Sequence, residues 1–284
     1  MILTRSHPAY PPRLAELHDP PARLYLRGER VEALAEPAVA VVGARSCSPY
    51  GAQVARMLGR ELAAAGVAVV SGLARGIDGE AHRGALDAGG VTLAVLGCGI
   101  DRDYPARHAE LARRIGETGL VVSEYPPGVE PAPWRFPARN RVIGALALAT
   151  VVVEARERSG ALITADFALE LGREVFAVPG EITAALSAGT NRLIRQGAAP
   201  LLGVDDVLAA LGIEAPRAAA PPVSPCAAAL HAVLADGPAG TDELVRRSGR
   251  PPAEVAAALV ELELVGRVVE GEGTYRALGT TIAA

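Results

Sequence analysis

The sequence of 284 residues contains no lysine. A Walker-type phosphate loop, Schiff-base catalysis and a lysine general base all depend on that side chain, so these three kinds of site are excluded. Arginine is then the only strong cation that can hold a phosphate group, and its planar guanidinium suits that task. A site for an anionic ligand should therefore be built from arginines and backbone N–H groups.

Cysteine is scarce as well, with three scattered residues, Cys47, Cys98 and Cys226. Their odd number and wide spacing argue against a disulfide framework and against a zinc site with paired ligands. Long apolar runs are also missing, since the longest uncharged one, residues 142–153, is too short to cross a bilayer. The sequence predicts a soluble, cytoplasmic protein with no metal site, no cofactor and no membrane contact.

Acidic residues slightly outnumber basic ones, and the formal net charge is −4. This balance argues against a general nucleic-acid coat, which needs a broad basic surface. The excess acid lies in the tail: residues 213–284 hold six arginines and nine acidic residues, whereas residues 1–212 hold 22 arginines and 23 acidic residues. The distribution of charge is therefore more informative than its sum.

Between residues 38 and 211, short apolar runs alternate with segments of helical periodicity. Continuous β-branched runs are typical of strands buried on both faces of a parallel sheet. Strands that alternate with helices indicate an α/β fold, a Rossmann-like doubly wound and mostly parallel sheet. The predicted strands are 39–42, 67–70, 91–96, 120–122, 151–153 and 174–178.

Composition divides the chain into four segments. Residues 1–36 are rich in proline and arginine, and we expect an extended lead-in that packs on the edge of the sheet. Residues 37–213 form the predicted Rossmann-like domain, and residues 214–225, with four prolines, have the composition of a linker. Residues 226–284 follow the order helix, helix, helix, hairpin, which predicts a small C-terminal winged-helix domain.

The first predicted strand runs into a glycine turn that suits an anion. Gly43 permits close approach, Ser48 is a good helix N-cap with proline after it, and Arg45 lies between them. The next two strands also end in glycine-rich turns, which contain Arg75 and Gly97. Because ligands of such sheets bind at the carboxyl ends of the strands, we expect these turns to lie at one edge.

The loop after the fourth strand interleaves aromatic residues with arginines. It contains Trp134, Arg135, Phe136, Arg139 and Arg141. Aromatic rings stack on unpaired bases at about 1–3 kcal/mol per base, and guanidinium groups bind phosphates. The pattern favours a site for a single-stranded nucleic acid. The ordinary alternative is that the rings fill the core and the arginines cap a helix.

Two further features follow the fifth strand. Ser159 and Gly160 begin another predicted helix and offer a second seat for an anion. Beyond the sixth strand, Leu193, Ile194 and Leu201 are more apolar than the outer edge of a sheet requires. We therefore predict that these three residues form a self-association surface.

Small-molecule chemistry is the main alternative to nucleic-acid binding. A dinucleotide site needs G-x-G-x-x-G and an acid at the end of the second strand, and the corresponding turns of this chain lack both. An alternative enzyme, a nucleotide or sugar-phosphate hydrolase on the same scaffold, needs P-G-G-x-G-T, but the sequence breaks off after Pro179-Gly180. Turn and cap roles suit the remaining acid–base candidates better, namely Asp78, His82, Asp101 and Asp103.

Eight blocks of residues resemble the DNA processing protein A family, also called Smf. They occur in order within residues 39–202, so together they are far more specific than any single block. The blocks are Gly43-Ala44-Arg45, SGLARGID at 71–78, LGCGIDRDYP at 96–105, SEYPPG at 123–128, FPARNRVI at 136–143, SGALITA at 159–165, PGE at 179–181 and GTNRLIRQGA at 189–198.

The resemblance implies a Rossmann-like homodimer that binds and protects incoming single-stranded DNA and is not an enzyme. It also implies that the protein helps to load a RecA-type recombinase during natural transformation. By match to the family's motif, Arg45 would bind a phosphate. The family's DNA-binding lysine after the fourth strand has no counterpart here, which implies that Arg135, Arg139 or Arg141 takes its place.

The tail resembles the winged-helix module that some members of the family carry. Its expected recognition helix, residues 252–264, contains three glutamates and no basic residue. Because a helix that reads DNA should be basic, we predict that this domain mainly contacts protein. Contact with DNA is the alternative.

Overall fold

The six predicted strands and three further ones form one sheet of nine strands in the computed structural model, which describes residues 1–214, 223–271 and 273–278. The strand order is β1-β2-β6-β5-β4-β3-β7-β8-β9. The strands are β1 Ile2–Thr4, β2 Arg23–Arg27, β3 Ala38–Val42, β4 Ala68–Ser71, β5 Thr92–Leu96, β6 Leu120–Ser123, β7 Ala149–Val152, β8 Glu174–Ala177 and β9 Ala199–Pro200.

Across the part of the sheet with the spatial order β6-β5-β4-β3-β7-β8-β9, every neighbouring pair of strands is parallel. The chain builds β3 to β6 outward in one direction and then returns to place β7 on the other side of β3, with Val42 paired to Val152. The connections therefore leave β3 and β7 towards opposite sides, and this topological switch point is where open α/β sheets bind ligands.

Helices cover both faces of the sheet. Successive residues of β3 alternate between two apolar clusters, Ala38, Ala40 and Val42 in one and Val39 and Val41 in the other, as the pleat requires. The Rossmann-like, mostly parallel α/β sheet predicted from the sequence is thus confirmed. The helices are α1 Pro12–Ala15, α2 Pro49–Ala64, α3 Ile77–Asp87, α4 Ala109–Thr118, α5 Arg135–Leu146, α6 Gly160–Glu170, α7 Ala188–Arg195 and α8 Val204–Ala210.

The N-terminal segment differs from the extended lead-in that the sequence predicted. Its two strands pair with each other, and β2 continues the sheet antiparallel to β6 with Tyr25 opposite Ser123. Leu3 and Leu24 are completely buried, in the apolar cluster that also contains Val42 of β3. Residues 1–36 are therefore part of the sheet and its core, because they supply both backbone partners and buried side chains.

The chain divides into two compact units, Met1–Pro216 and Arg217–Ala284. In the second unit three helices pack around Leu230, Leu244 and Leu259, and a hairpin follows them, which confirms the predicted small winged-helix domain. Its elements are α9 Pro225–Ala235, α10 Thr241–Ser248, α11 Pro252–Leu264, β10 Val268–Gly271 and β11 Thr274–Ala277.

Most of the predicted linker, 214–225, lies outside the described residues, since 215–222 are not among them. Within the described parts of the chain, no helix has the length and apolar character needed to span a membrane.

A histidine in its neutral form is buried in the core of the first unit. His82 of α3 is completely buried, and its Nδ1 lies 2.6 Å from the Oγ1 of Thr92. That hydroxyl donates its hydrogen to the carbonyl of Val69, so it accepts a hydrogen bond from the Nδ1–H of His82. Burial lowers the pKa of His82 to about 3, and the nearby His108, Arg139 and Arg83 add to the effect.

The buried imidazole predicts an acid-sensitive fold. The unfolded chain takes up a proton on His82 below a pKa of about 6.5, whereas the folded protein stays neutral there down to about 3. Stability is therefore lost as the pH falls through this window. Between pH 7.5 and pH 5, His82→Asn should lose less unfolding free energy than the wild type, by roughly 2 kcal/mol.

Chemical denaturation at the two pH values measures this difference. His18→Asn, at an exposed position, is the matched control and should behave as the wild type. An equal acid sensitivity in His82→Asn and wild type contradicts the assignment.

Candidate nucleic-acid interface

A pocket of about 210 Å³ lies at the switch point of the sheet. The segment after β3 forms one wall, the turn after β4 another, and α5 and the first turns of α6 close the rest. The lining residues are Val42, Gly43, Arg45, Ala74, Asp78, Phe136, Pro137, Arg139, Asn140, Ile143, Ser159, Gly160, Ala161 and Thr164. The structure thus brings six of the predicted site residues together, namely Gly43, Arg45, Phe136, Arg139, Ser159 and Gly160.

An arginine and two aromatic rings form a continuous stack at this pocket, which we call the Arg45 stack. The guanidinium carbon of Arg45 lies 5.1 Å from the ring centre of Phe136. Phe136 also stacks on Tyr104, with 5.2 Å between ring centres and 27° between planes. Arg45 is exposed, and within the described parts of the chain no carboxylate forms an ion pair with it. Its charge is therefore available to a ligand.

A second group, the Arg135 stack, lies on the same loop and helix. The guanidinium carbon of Arg135 is 4.6 Å from the ring centre of Trp134 and 5.3 Å from that of Tyr125. The Trp134 side chain is 62% exposed. The alternative in which this tryptophan fills the core is therefore wrong. Tyr104 and Tyr125 are not among the predicted site residues, although each follows a strand at the same edge.

Gly97 has a packing role beneath the Arg45 stack. It is buried, and a Cβ atom at this position would lie 2.9 Å from a ring carbon of Phe136. Real Cβ contacts are longer than this, so only glycine lets the ring lie flat on the turn after β5. Gly97 thus supports the Arg45 stack, and its role in DNA binding stays a prediction.

The two helix N-termini that were predicted to bind anions differ in whether they are occupied. At the start of α2 the protein itself occupies the anion-binding site, since the carboxylate of Glu154 accepts hydrogen bonds from the backbone N–H of Ser48 (2.9 Å) and from its hydroxyl. Ser48 is therefore not open to an external phosphate. At the start of α6, Ser159 caps the N–H of Ala161 at 3.3 Å and the exposed Gly160 lines the pocket. That helix end faces the same space as Arg45.

Arg139 is a core residue and not a surface cation. It is 4% exposed, and its guanidinium donates to the carbonyls of Gly72 (2.7 Å) and Val95. Burial lowers its pKa to about 10, and the nearby Asp78 carboxylate opposes that shift. The predicted phosphate contact is corrected accordingly: Arg139 ties α5 to the ends of two strands.

Arg141 is also engaged inside the protein. Its guanidinium makes a forked ion pair with Glu124, with N–O distances of 2.7 and 3.1 Å, and its side chain is 15% exposed. Asp19 approaches the same group at 3.8 Å. Of the three arginines considered as substitutes for a lysine, Arg135 is the one that lies beside the exposed Trp134, and it also donates to the carbonyl of Glu130.

Three more exposed arginines border this edge. Arg75 lies on the turn between β4 and α3 but outside the pocket lining. Arg156 and Arg158, which the sequence places beside the predicted anion site at Ser159, lie between β7 and α6. Each position follows the carboxyl end of a strand, as the topology of a parallel sheet would have predicted.

The predicted self-association surface is largely buried. Leu193 is 4% exposed in one core cluster and Leu201 is 6% exposed in the other, because α7 and the segment after β9 pack their apolar sides inward. Ile194 is partly buried. The exposed apolar residues here are Leu202, at 84%, and Ile182, at 97%.

The acid–base candidates have structural partners. Asp78 accepts from the N–H groups of Gly72 and Ala74, and burial raises the pKa of its carboxyl. Asp101 accepts from a backbone N–H after β6, and Asp103 pairs with Arg27. Among the described residues there is no cluster of three side chains that suits a metal ion.

The fold and the site together define a class of protein: a doubly wound α/β domain with arginine–aromatic stacks at its ligand edge, accompanied by a winged-helix domain. The family model for DNA recombination-mediator protein A matches residues 1–212, and the DprA winged helix domain matches residues 214–274. The chain belongs to the DNA recombination-mediator protein A family, as the eight sequence blocks had indicated.

Relatives from several bacteria support this assignment. The chain is 42% identical over 278 residues to Protein Smf of Escherichia coli, covering 94% of this chain and 74% of that protein. It is 44% identical over 270 residues to the putative DNA processing protein DprA of Mycobacterium tuberculosis, covering 92% of this chain and 69% of that protein.

Solved structures agree with the fold. The DNA processing protein A of Streptococcus pneumoniae has a TM-score of 0.71 at 43% identity, covering 75% of this chain and 74% of that one. The protein from Helicobacter pylori, described as binding single-stranded DNA, has a TM-score of 0.67 at 31% identity, covering 74% of this chain and 94% of that one.

Proposed function

We propose that this protein binds single-stranded DNA along the carboxyl edge of the sheet. The observation that carries the proposal is the pair of arginine–aromatic stacks beside the pocket, with Trp134 exposed and Arg45 in no ion pair with any described residue. Aromatic faces stack on bases and guanidinium groups take phosphates, which are the two recurring parts of single-strand sites. The single-strand-binding relative from Helicobacter pylori supports the same conclusion.

Single strands fit this surface better than duplex does. In a duplex the base faces are stacked on one another, so the exposed rings of Tyr104 and Trp134 would find no free partner. The open end of α6 and the exposed Arg156 and Arg158 add positive potential on the same edge. Affinity should fall as salt rises, because phosphate contacts release counterions.

Replacing Arg45 tests the site directly. Arg45→Ala should weaken binding of a labelled oligo-dT by ~1–3 kcal/mol, the magnitude of a charge-assisted hydrogen bond to phosphate. Arg114→Ala removes the same charge from an exposed position on α4, outside the pocket, and is the matched control.

A fluorescence anisotropy titration at fixed salt measures both variants against the wild type. Equal affinity of Arg45→Ala and wild type would place the DNA elsewhere. Equal losses of affinity in both variants would mean that the effect comes from the change in net charge and not from the site.

Protection of incoming DNA, loading of a RecA-type recombinase and homodimer formation complete the proposal. They are supported by membership of the family and by the resemblance that the sequence blocks carry. For the homodimer, Ile182 and Leu202 offer exposed apolar contacts that follow neighbouring strands β8 and β9. These two residues take the place of the buried Leu193 and Leu201 in the proposed interface.

We further propose that the winged-helix domain contacts protein more than DNA. On α11, Glu254 pairs with Arg250, and Glu261 accepts two hydrogen bonds from Ser224. The same helix exposes Val260 and Leu264, at 53% and 83%. An apolar surface suits a protein partner, and a helix with three glutamates and no basic residue repels phosphate.

Removal of the tail separates these alternatives. Deletion of residues 215–284 takes away a segment with six arginines and eight acidic residues and leaves both stacks in place. Single-strand affinity should change by less than about threefold, because the lost segment repels phosphate more than it holds it.

Full-length and truncated proteins are titrated with one labelled oligonucleotide at matched salt, after circular dichroism has verified their folding. A complex about tenfold weaker, or ~1.4 kcal/mol, would assign DNA contacts to the winged helix.

A further inference from the structure

A buried carboxylate occupies the helix end that lies next to Arg45. Glu154 follows β7, is 6% exposed, and accepts hydrogen bonds from the backbone N–H and the hydroxyl of Ser48. Gly51 makes room for it, since a Cβ atom there would lie 2.4 Å from the Glu154 carboxyl carbon. The first turn of α2 is thus shaped around this side chain.

The backbone of the same residue holds the other end of the Arg45 segment. The carbonyl oxygen of Glu154 accepts the N–H of Ala44 at 2.8 Å. Residue 154 therefore fixes Ala44 on one side of Arg45 and Ser48 on the other. With both ends of this short segment held, the backbone position from which Arg45 reaches the Phe136 ring is determined.

The carboxylate also changes what the helix end can do. The N-terminus of α2, a helix of 16 residues, has a partial positive charge that would attract an anion. Glu154 already satisfies that charge and two of the donors there. A phosphate at this edge is left with Arg45 and the open end of α6.

We infer that Glu154 is a positioning residue for DNA binding. It holds Arg45 in place over Phe136 and keeps DNA phosphates away from the start of α2. This inference rests on the proposed single-strand function and adds to it an internal anion that determines where the phosphate binds.

A double-mutant cycle distinguishes positioning from general stabilisation. Glu154→Gln keeps the size of the side chain but removes its charge and one acceptor. It should weaken oligo-dT binding roughly fivefold in the wild-type background, a net hydrogen-bond magnitude. In the Arg45→Ala background the same substitution should change affinity by less than about twofold, since its effect passes through Arg45.

The other outcomes overturn the inference. Equal losses in both backgrounds indicate a general structural effect, and unchanged affinity shows that Glu154 does not position Arg45. Tighter binding with a steeper salt dependence would show that the vacated helix end takes a phosphate and that Glu154 acts by exclusion alone, which contradicts its positioning of Arg45. If Arg45→Ala alone has no effect, the proposed Arg45 contact fails first, and that single variant reports it separately.

A second variant guards against loss of folding in Glu154→Gln. Ser48→Ala removes the hydroxyl that donates to Glu154 and leaves the carboxylate in place. In the same two backgrounds it should show the same pattern at smaller magnitude. Thermal unfolding of all variants verifies that the compared proteins are folded, and equal losses in both backgrounds would again contradict the inference.

Discussion

The parallel pairing of β3 with β7 is the constraint on which the proposed interface depends. It joins strands that are separated by more than a hundred residues, with Val42 opposite Val152. The segments that leave the two strands then lie side by side, so Ala44 and Ser48, which flank Arg45 after β3, bond to Glu154 after β7. The end of α6 belongs to the same connection and faces the same pocket. The position of the proposed interface is thus determined first by the strand order and only then by particular side chains.

In the absence of lysine, arginine fills three different roles within one short stretch. Arg135 lies over aromatic rings, Arg139 is buried against backbone carbonyls and Arg141 is paired with a carboxylate. A buried guanidinium still holds its proton at neutral pH, as the pKa of about 10 for Arg139 illustrates. A lysine in that position would be neutralised more readily. The acidic overall charge is therefore compatible with a local cationic site.

Much of this arrangement follows from sequence patterns. The β-branched runs identified every parallel strand from β3 to β8, and the glycine turns lie at the sheet edge that carries the pocket. The burial of Arg139 was also readable, since it shares a helical face with Val142, Ile143 and Leu146. Other features were not. The strands β1 and β2 are short and are separated by a proline-rich segment. The residues of the contact between Glu154 and Ser48 are 106 positions apart in the sequence. No local pattern encodes such a pairing.

The central claim is that DNA bases stack on the aromatic residues of this edge, and Trp134 reports on it directly. It is the sole tryptophan of the chain and is 62% exposed. Titration of the full-length protein with oligo-dT should quench its fluorescence to saturation, and added salt should reverse the quenching. A duplex of equal length should quench far less. Unchanged tryptophan emission under conditions in which a gel shift shows the same oligonucleotide bound would contradict the account.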